Sequence, residues 1–317
     1  MISRRLLRVK ALQVLYAFNR KEGDDMASAH NELALSIEKA YDLYIYLLLL
    51  YVEMAYVAES RIETGLQKNF PTLEELNPNR KFADNRVIRY LRESEDLARV
   101  MRERKISWSG HEEIPRVLFS RMNEWPEFSA YLNSQEDSVV SDRKFLGNLL
   151  TGLLLETEDL LMHLEETSIY WNDDLEFAVI MIEKTLKRIR DDEEPTYFLL
   201  PLFKNEDDEK FASGLLVNSL LRSNETRQLI ERNTTNWEIE RIALMDILVM
   251  QLAITEIMVF PEIPVKVSLN EYIEIAKYYC TAKSSTFING ILDKVVKEMK
   301  ENEMFVKSGR GLIGENE

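Results

Sequence analysis

Apolar residues recur along this chain at intervals of three and four, and that spacing predicts helices almost throughout. The pattern places them near 4–20, 30–68, 85–105, 113–133, 142–168, 173–190, 208–222, 225–233, 238–259, 269–279 and 286–300. Alternating strand patterns are not read anywhere, so the expected class is all-α. Turn-rich or charged stretches separate the helices: Asn77-Pro78-Asn79, residues 108–113, 191–195 and 205–209. The acidic runs Asp191-Asp192-Glu193-Glu194 and Glu206-Asp207-Asp208-Glu209 read as solvated linkers. From Lys307 to Glu317 there are three glycines and little apolar content, and 304–317 reads as a disordered tail.

Composition sharpens this picture. Only 10 Gly and 8 Pro in 317 residues disfavour a sandwich or barrel, which needs turn residues throughout. The single Cys280 excludes internal disulfides and multi-cysteine metal sites. Its neighbours Lys277 and Lys283 would favour a thiolate, but no histidine accompanies it, so it reads as a tolerated thiol. His30, His111 and His163 stand far apart in sequence and none has metal-ligand spacing, so no metal is expected. Glycine-rich phosphate loops and nucleophile elbows are missing, so neither a cofactor nor an enzyme is expected. The basic and apolar residues of the N-terminus interleave, unlike a signal peptide. The longest apolar run, Leu43–Val52, falls short of the roughly 20 residues that span a bilayer. No membrane and a cytoplasmic location are therefore expected. The apolar face of 43–57 suits either a core or an interface between copies.

A net charge of −15 discourages nucleic acid as a partner, but its distribution does not. Residues 1–21 hold Arg4, Arg5, Arg8, Lys10, Arg20 and Lys21 with no acid before Glu22. With Leu7, Ala11, Val14 and Phe18 as a core stripe, Arg4, Arg5 and Arg8 share about 100° of the helix circumference. Cations at a helix N-terminus oppose the macrodipole, so helix stability does not explain them, whereas phosphate binding does. A solvated positive end is the competing reading.

The C-terminal third is the other informative region. Residues 238–259 read as an amphipathic helix ended by Pro261 and Pro264. Ser268-Leu269-Asn270-Glu271 reads as a capping box, and Ser284 or Ser285 as the next N-cap. The last helix carries Phe287, Ile288, Ile291, Leu292, Val295, Val296 and Met299 as its stripe. Gly290 within it costs roughly 1 kcal/mol against alanine, which suggests close approach by a neighbouring helix. At its start Lys283, two serines and Thr286 converge with no acid between Glu274 and Asp293, an arrangement that suits an anion such as RNA phosphate. Every helix start shares some of this character.

With both ends in view, the sequence resembles the NusB family of antitermination factors. The resemblance rests on Ser3-Arg4-Arg5-x-x-Arg8-x-x-Ala11-Leu12-Gln13-x-Leu15-Tyr16 and on Trp237-x-x-x-Arg241-x-Ala243-x-x-Asp246. It continues through Leu252-Ala253-x-x-Glu256-Ile257, Ile263-Pro264-Val265-Lys266-Val267-x-Leu269-Asn270-Glu271 and Glu274-x-Ala276-Lys277. It closes on Lys283-Ser284-x-x-Phe287-Ile288-Asn289-Gly290-Ile291-Leu292-Asp293-Lys294. The resemblance implies an all-α NusB-like helical bundle made by 1–68 and 206–303, with a helical insertion over 69–205. It implies binding of boxA-like RNA with ribosomal protein NusE, in the RNA polymerase elongation complex; a homodimer is also compatible, since some members dimerise. It assigns RNA contacts to Arg4, Arg5, Arg8, Lys10, Lys283, Ser284, Thr286 and Phe287, and protein contacts to Glu240 and Asp246.

The chain departs from the family pattern in having Gln251 for an arginine, Thr255 for a tyrosine, and a shorter arginine-rich start. Within the insertion, Arg86 to Arg104 intermix with Glu93, Glu95 and Asp96, which reads as a solvated, salt-bridged helix. Trp108, Trp125 and Trp171 are expected to pack in that segment's core. A helical protein-binding scaffold without RNA is the alternative function. An RNA methyltransferase would need a glycine-rich cofactor domain.

Overall fold

The computed structural model describes residues 1–21, 25–190, 198–234 and 241–313. The protein is helical, as expected, and no strand occurs among the described residues. In chain order come α1 (Arg4–Arg20), α2 (Met26–Leu66), α3 (Leu73–Leu76), α4 (Arg86–Glu93), α5 (Glu95–Arg104), α6 (Glu113–Glu124), α7 (Pro126–Asn133) and α8 (Val139–Gly152). Then follow α9 (Glu158–Thr167), α10 (Leu175–Leu186), α11 (Glu206–Leu221), α12 (Ser223–Asn233), α13 (Leu244–Val259), α14 (Val265–Tyr279) and α15 (Ser284–Glu301). Three stretches expected as single helices are each broken. Ser94 ends α4 and caps α5, its hydroxyl accepting from Leu97 N at 3.2 Å. Pro126 opens α7, and a 3₁₀ turn at Leu154–Glu156 separates α8 from α9.

By contacts the chain divides into two compact units: residues 38–202 with Met1, and residues 2–37 with 203–317. The division falls inside α2, so one continuous helix contributes to both units. A hydrophobic stripe shows that a helix is covered, not which neighbours cover it.

In the first unit, α2 is the core. It is long and apolar enough to cross a membrane by composition, yet 72% of its most apolar window is buried within the protein. Its tyrosines are satisfied there: Tyr51 donates to Leu146 O at 2.9 Å, and Tyr44 bonds Thr185 at 2.7 Å. Of residues 43–57, whose apolar face suits core or interface, 43–52, Met54 and Ala55 are core and Tyr56 is exposed. Trp108 stacks on Tyr46 at 4.0 Å and donates to its carbonyl, Trp171 donates to Lys39 O, and Trp125 tilts against Phe145. The tryptophans pack, as expected. His111 and His163, distant in sequence, meet with ring centroids 4.7 Å apart. Among the described residues no group of three or more potential ligands forms around them or elsewhere. Arg86, Arg92, Arg99 and Arg104 pair with Asp137, Glu59, Asp96 and Asp42, the salt-bridged surface the sequence suggested.

In the second unit, α13 is the central rod. Every residue from Asp246 to Ile257 is buried, so the helix is covered all round rather than amphipathic. The reason is its setting: α1, α11, α12, α14 and α15 all pack on it. Three further expectations are corrected here. The acidic run Glu206–Glu209 is no linker but the first turn of α11, where carboxylates complement the helix dipole and Asn205 supplies the cap. α14 begins at Val265 behind Pro264, not at Ser268, because Ser268 and Glu271 serve side chains from other helices. Of the expected tail 304–317, residues 304–313 are held in place, since the buried Lys307 ammonium donates to Ile257 O at 2.8 Å and Phe260 O at 3.0 Å, closing the end of α13; 314–317 lie outside the described residues. Ser308 N adds a bond to Pro261 O at 3.0 Å.

Candidate nucleic-acid interface

Ser3 caps α1 by accepting from Leu6 N at 3.2 Å, and the helix then lies against α11 and α13. Those contacts bury its residues 6–12, so position along α1 decides what each cation does. Arg4 and Arg5, in the first turn, remain 41% and 55% exposed. Arg8, one turn further, is 4% exposed and lies within the protein.

Arg8 anchors a buried cluster. Its Nε and Nη2 donate to the two oxygens of Glu256, each at 2.8 Å. Ser268 Oγ donates to the same carboxylate at 2.8 Å and the Tyr272 hydroxyl at 2.9 Å. Four hydrogen bonds thus satisfy a carboxylate that is wholly buried on the central rod. Burial works against the Arg8 charge, but the hydrogen bonds and charge of Glu256 more than reverse it, so Arg8 is held protonated. Burial likewise pushes the Tyr272 hydroxyl well up, and the Glu256 charge adds to it. The expectation that Arg8 meets phosphate is corrected: its guanidinium is committed to Glu256. Lys10 is also corrected, being 1% exposed.

Arg4 and Arg5 face outward but are not surrounded by neutral surface. Arg4 Nε donates to Asp208 Oδ1 at 2.8 Å, with its guanidinium over the Phe211 ring. Arg5 reaches Glu271 with Nε at 2.9 Å and Nη2 at 2.8 Å. The Arg5 hydrogen bonds hold the Glu271 carboxyl below the usual range. The basic end that is free of acids in sequence therefore meets acids supplied by α11 and α14.

The second predicted patch lies at the start of α15. Lys283 precedes the helix, is exposed, and makes no ion pair among the described residues. Thr286 is exposed beside it and Phe287 half-buried. Ser284, expected to face RNA, is buried and donates to Asp246 Oδ2 at 2.8 Å. This corrects Ser284 and Asp246 together: the aspartate expected to contact a protein partner lies under α15 and positions its first turn. Asp246 also bears on Cys280, whose thiol is pushed up to about 12 by burial and by that carboxylate. The neighbouring lysines do not activate it. Glu240, the other expected partner contact, lies outside the described residues.

α14 links the two patches. From Glu271, which holds Arg5, to Tyr279 the helix runs about 12 Å, and the chain then turns through Cys280 to Lys283. Glu271, Glu274 and Tyr278 follow at helical spacing on one face, and Tyr278 is 82% exposed. An outward tyrosine is a ready platform for a base. Sequence reasoning passed over it; its place seven residues after Glu271 is the signal that would have found it. Gly290 is a further correction. A Cβ there would meet nothing within 4 Å, so no helix approaches it and the residue lies open on α15 beside Thr286 and Phe287.

A profile described as the NusB family matches residues 175–297. The transcription antitermination protein NusB of Salinibacter ruber is 41% identical over 115 residues, covering 36% of this chain and 72% of that protein. NusB of Listeria monocytogenes is 35% identical over 126 residues, covering 40% of this chain and 88% of that protein. NusB of Chloroherpeton thalassium is 43% identical over 99 residues, covering 31% of this chain and 47% of that protein. Among solved structures, T. maritima NusB is 26% identical with a TM-score of 0.30, over 45% of this chain and 89% of that one.

Proposed function

The chain belongs to the NusB family, and from that premise we propose that it is a cytoplasmic, non-catalytic transcription antitermination factor that binds boxA-like RNA beside ribosomal protein NusE in the RNA polymerase elongation complex. One observation supports the RNA reading: Arg4, Arg5, Tyr278 and Lys283 are all exposed on the second unit, and Lys283 makes no ion pair among the described residues. Arg4, Arg5 and Lys283 neutralise phosphates, and Tyr278 stacks on a base. Thr286 and Phe287 add to these residues on α15, where the open Gly290 leaves helix backbone accessible.

A titration of fluorescent boxA-like RNA across salt concentrations, with and without NusE, tests this. Removing Lys283 by Lys283→Ala flattens the log–log salt slope by about 0.7, the value for one phosphate on a single strand. Tyr278→Ala weakens binding by about 1–3 kcal/mol while leaving the slope unchanged, because stacking releases no counterion. If NusE binds but no salt-sensitive RNA binding appears, the chain is a protein-binding scaffold and the RNA reading falls.

A further inference from the structure

Resting on the reading that RNA follows α14, we propose that Asp208 and Glu271 are affinity-setting residues: they occupy Arg4 and Arg5 as stand-ins for phosphate, so that RNA binds by exchanging ion pairs rather than by meeting free cations. Glu271 fills both arms of the Arg5 guanidinium, with its two oxygens at 2.8 and 2.9 Å. Carboxylate and phosphate present oxygens to this fork in the same bidentate way, so one displaces the other. Asp208 fills Nε of Arg4 at 2.8 Å.

Burial decides which partner moves. The Asp208 side chain is only 9% exposed and fixed in the first turn of α11, whereas Arg4 is 41% exposed. Glu271 is 22% exposed and lies 3.6 Å from the immobile Arg8, whereas Arg5 is 55% exposed. The arginines therefore swing to RNA and the carboxylates stay. Left behind, each carboxylate repels the incoming backbone and takes up a cation from solution, which offsets the counterion that the phosphate releases. Lys283 carries no such partner among the described residues and makes its contact without exchange. RNA that engages only the arginines is held weakly, and RNA that also reaches Tyr278 and Lys283 is retained. The paired arginines thus filter against nonspecific polyanions.

The test uses the full chain in three forms: wild type, Asp208→Asn/Glu271→Gln, and Glu262→Gln/Glu301→Gln, which changes net charge equally at other, exposed positions. Binding of a boxA-like RNA and of a poly-anion control is measured across salt, with thermal unfolding confirming that each form is folded. The expected result is RNA affinity raised about two- to fivefold for each neutralised partner, with a steeper salt slope, above whatever the Glu262→Gln/Glu301→Gln form shows. The single variant Glu271→Gln supplies the same comparison if the double variant unfolds. If wild type binds RNA but neither Asp208→Asn/Glu271→Gln nor Glu271→Gln exceeds the matched control, the exchange is refuted and RNA binding stands. If no form binds RNA in a salt-sensitive way, the RNA reading itself fails and the exchange with it.

Discussion

Arg5 and Arg8 stand one turn apart on α1, and each reaches a carboxylate with both arms of its guanidinium. The hydrogen-bond lengths are nearly the same, but the surroundings are not. Arg8 and Glu256 are shut between α1 and α13, with Ser268 and Tyr272 completing the carboxylate's bonds. Arg5 and Glu271 lie at the protein surface, where water and other anions compete for the same donors. Identical pairing chemistry therefore yields a structural lock inside and an exchangeable contact outside. Removing one partner inside leaves a charge without water, while removing one outside leaves a hydrated charge.

The sharpest way to break this comparison is to truncate both arginines in turn. Arg8→Ala should cost about 3–5 kcal/mol of stability, because Glu256 is left buried without its counter-charge. Arg5→Ala should cost less than about 1 kcal/mol. Urea unfolding of the two variants measures the gap, and equal losses would show that burial is not what separates the pairs. Should Arg8→Ala fail to fold, the double replacement Arg8→Met/Glu256→Leu should recover much of the stability, since a matched apolar pair removes the orphaned charge.

A smaller effect is expected at Gly290. Alanine there should stabilise the protein by about 0.5–1 kcal/mol, since the helix gains propensity and the new methyl meets nothing. If RNA or a protein partner seats against this bare backbone, the same variant will bind it more weakly despite being more stable. Unchanged binding would remove Gly290 from the interface.

The smallest effect concerns pH. The folded Glu271 carboxyl is held below its ordinary 4.5 by the Arg5 hydrogen bonds. A depressed folded pKa contributes stability that is present above the unfolded pKa and is lost as pH falls through the folded one. The stability difference between wild type and Glu271→Gln, followed by urea unfolding, should hold near neutrality and shrink below about pH 4.5. It should stay under about 1 kcal/mol throughout, as for other solvent-accessible pairs. A difference that grows on acidification would contradict the pairing.

Much of this fold was legible because periodicity and punctuation act locally. The spacing of Leu7, Ala11 and Val14 marks α1, and Pro261 marks the end of α13. Motifs were less reliable where one side chain had two uses. Ser268 and Glu271 have the types and spacing of a capping box, yet Glu256 and Arg5 claim them. The run at 206–209 has the composition of a linker, but acids are equally favourable at the start of α11. Lys307 sits in a glycine-rich tail, and nothing nearby announces that two carbonyls at the end of α13 await its ammonium.

By itself the sequence determined an all-helical chain, a cationic first helix and the family signature of the C-terminal third. It also determined that the net charge of −15 is unevenly spread. Only the tertiary structure decided which of those cations is free to act. Arg4, Arg5 and Arg8 share one helix face, but their partners come from residues 208, 271 and 256, on three different helices. Charge listed along a chain ignores contacts between distant segments, and an ion pair's value depends on how much water those contacts exclude.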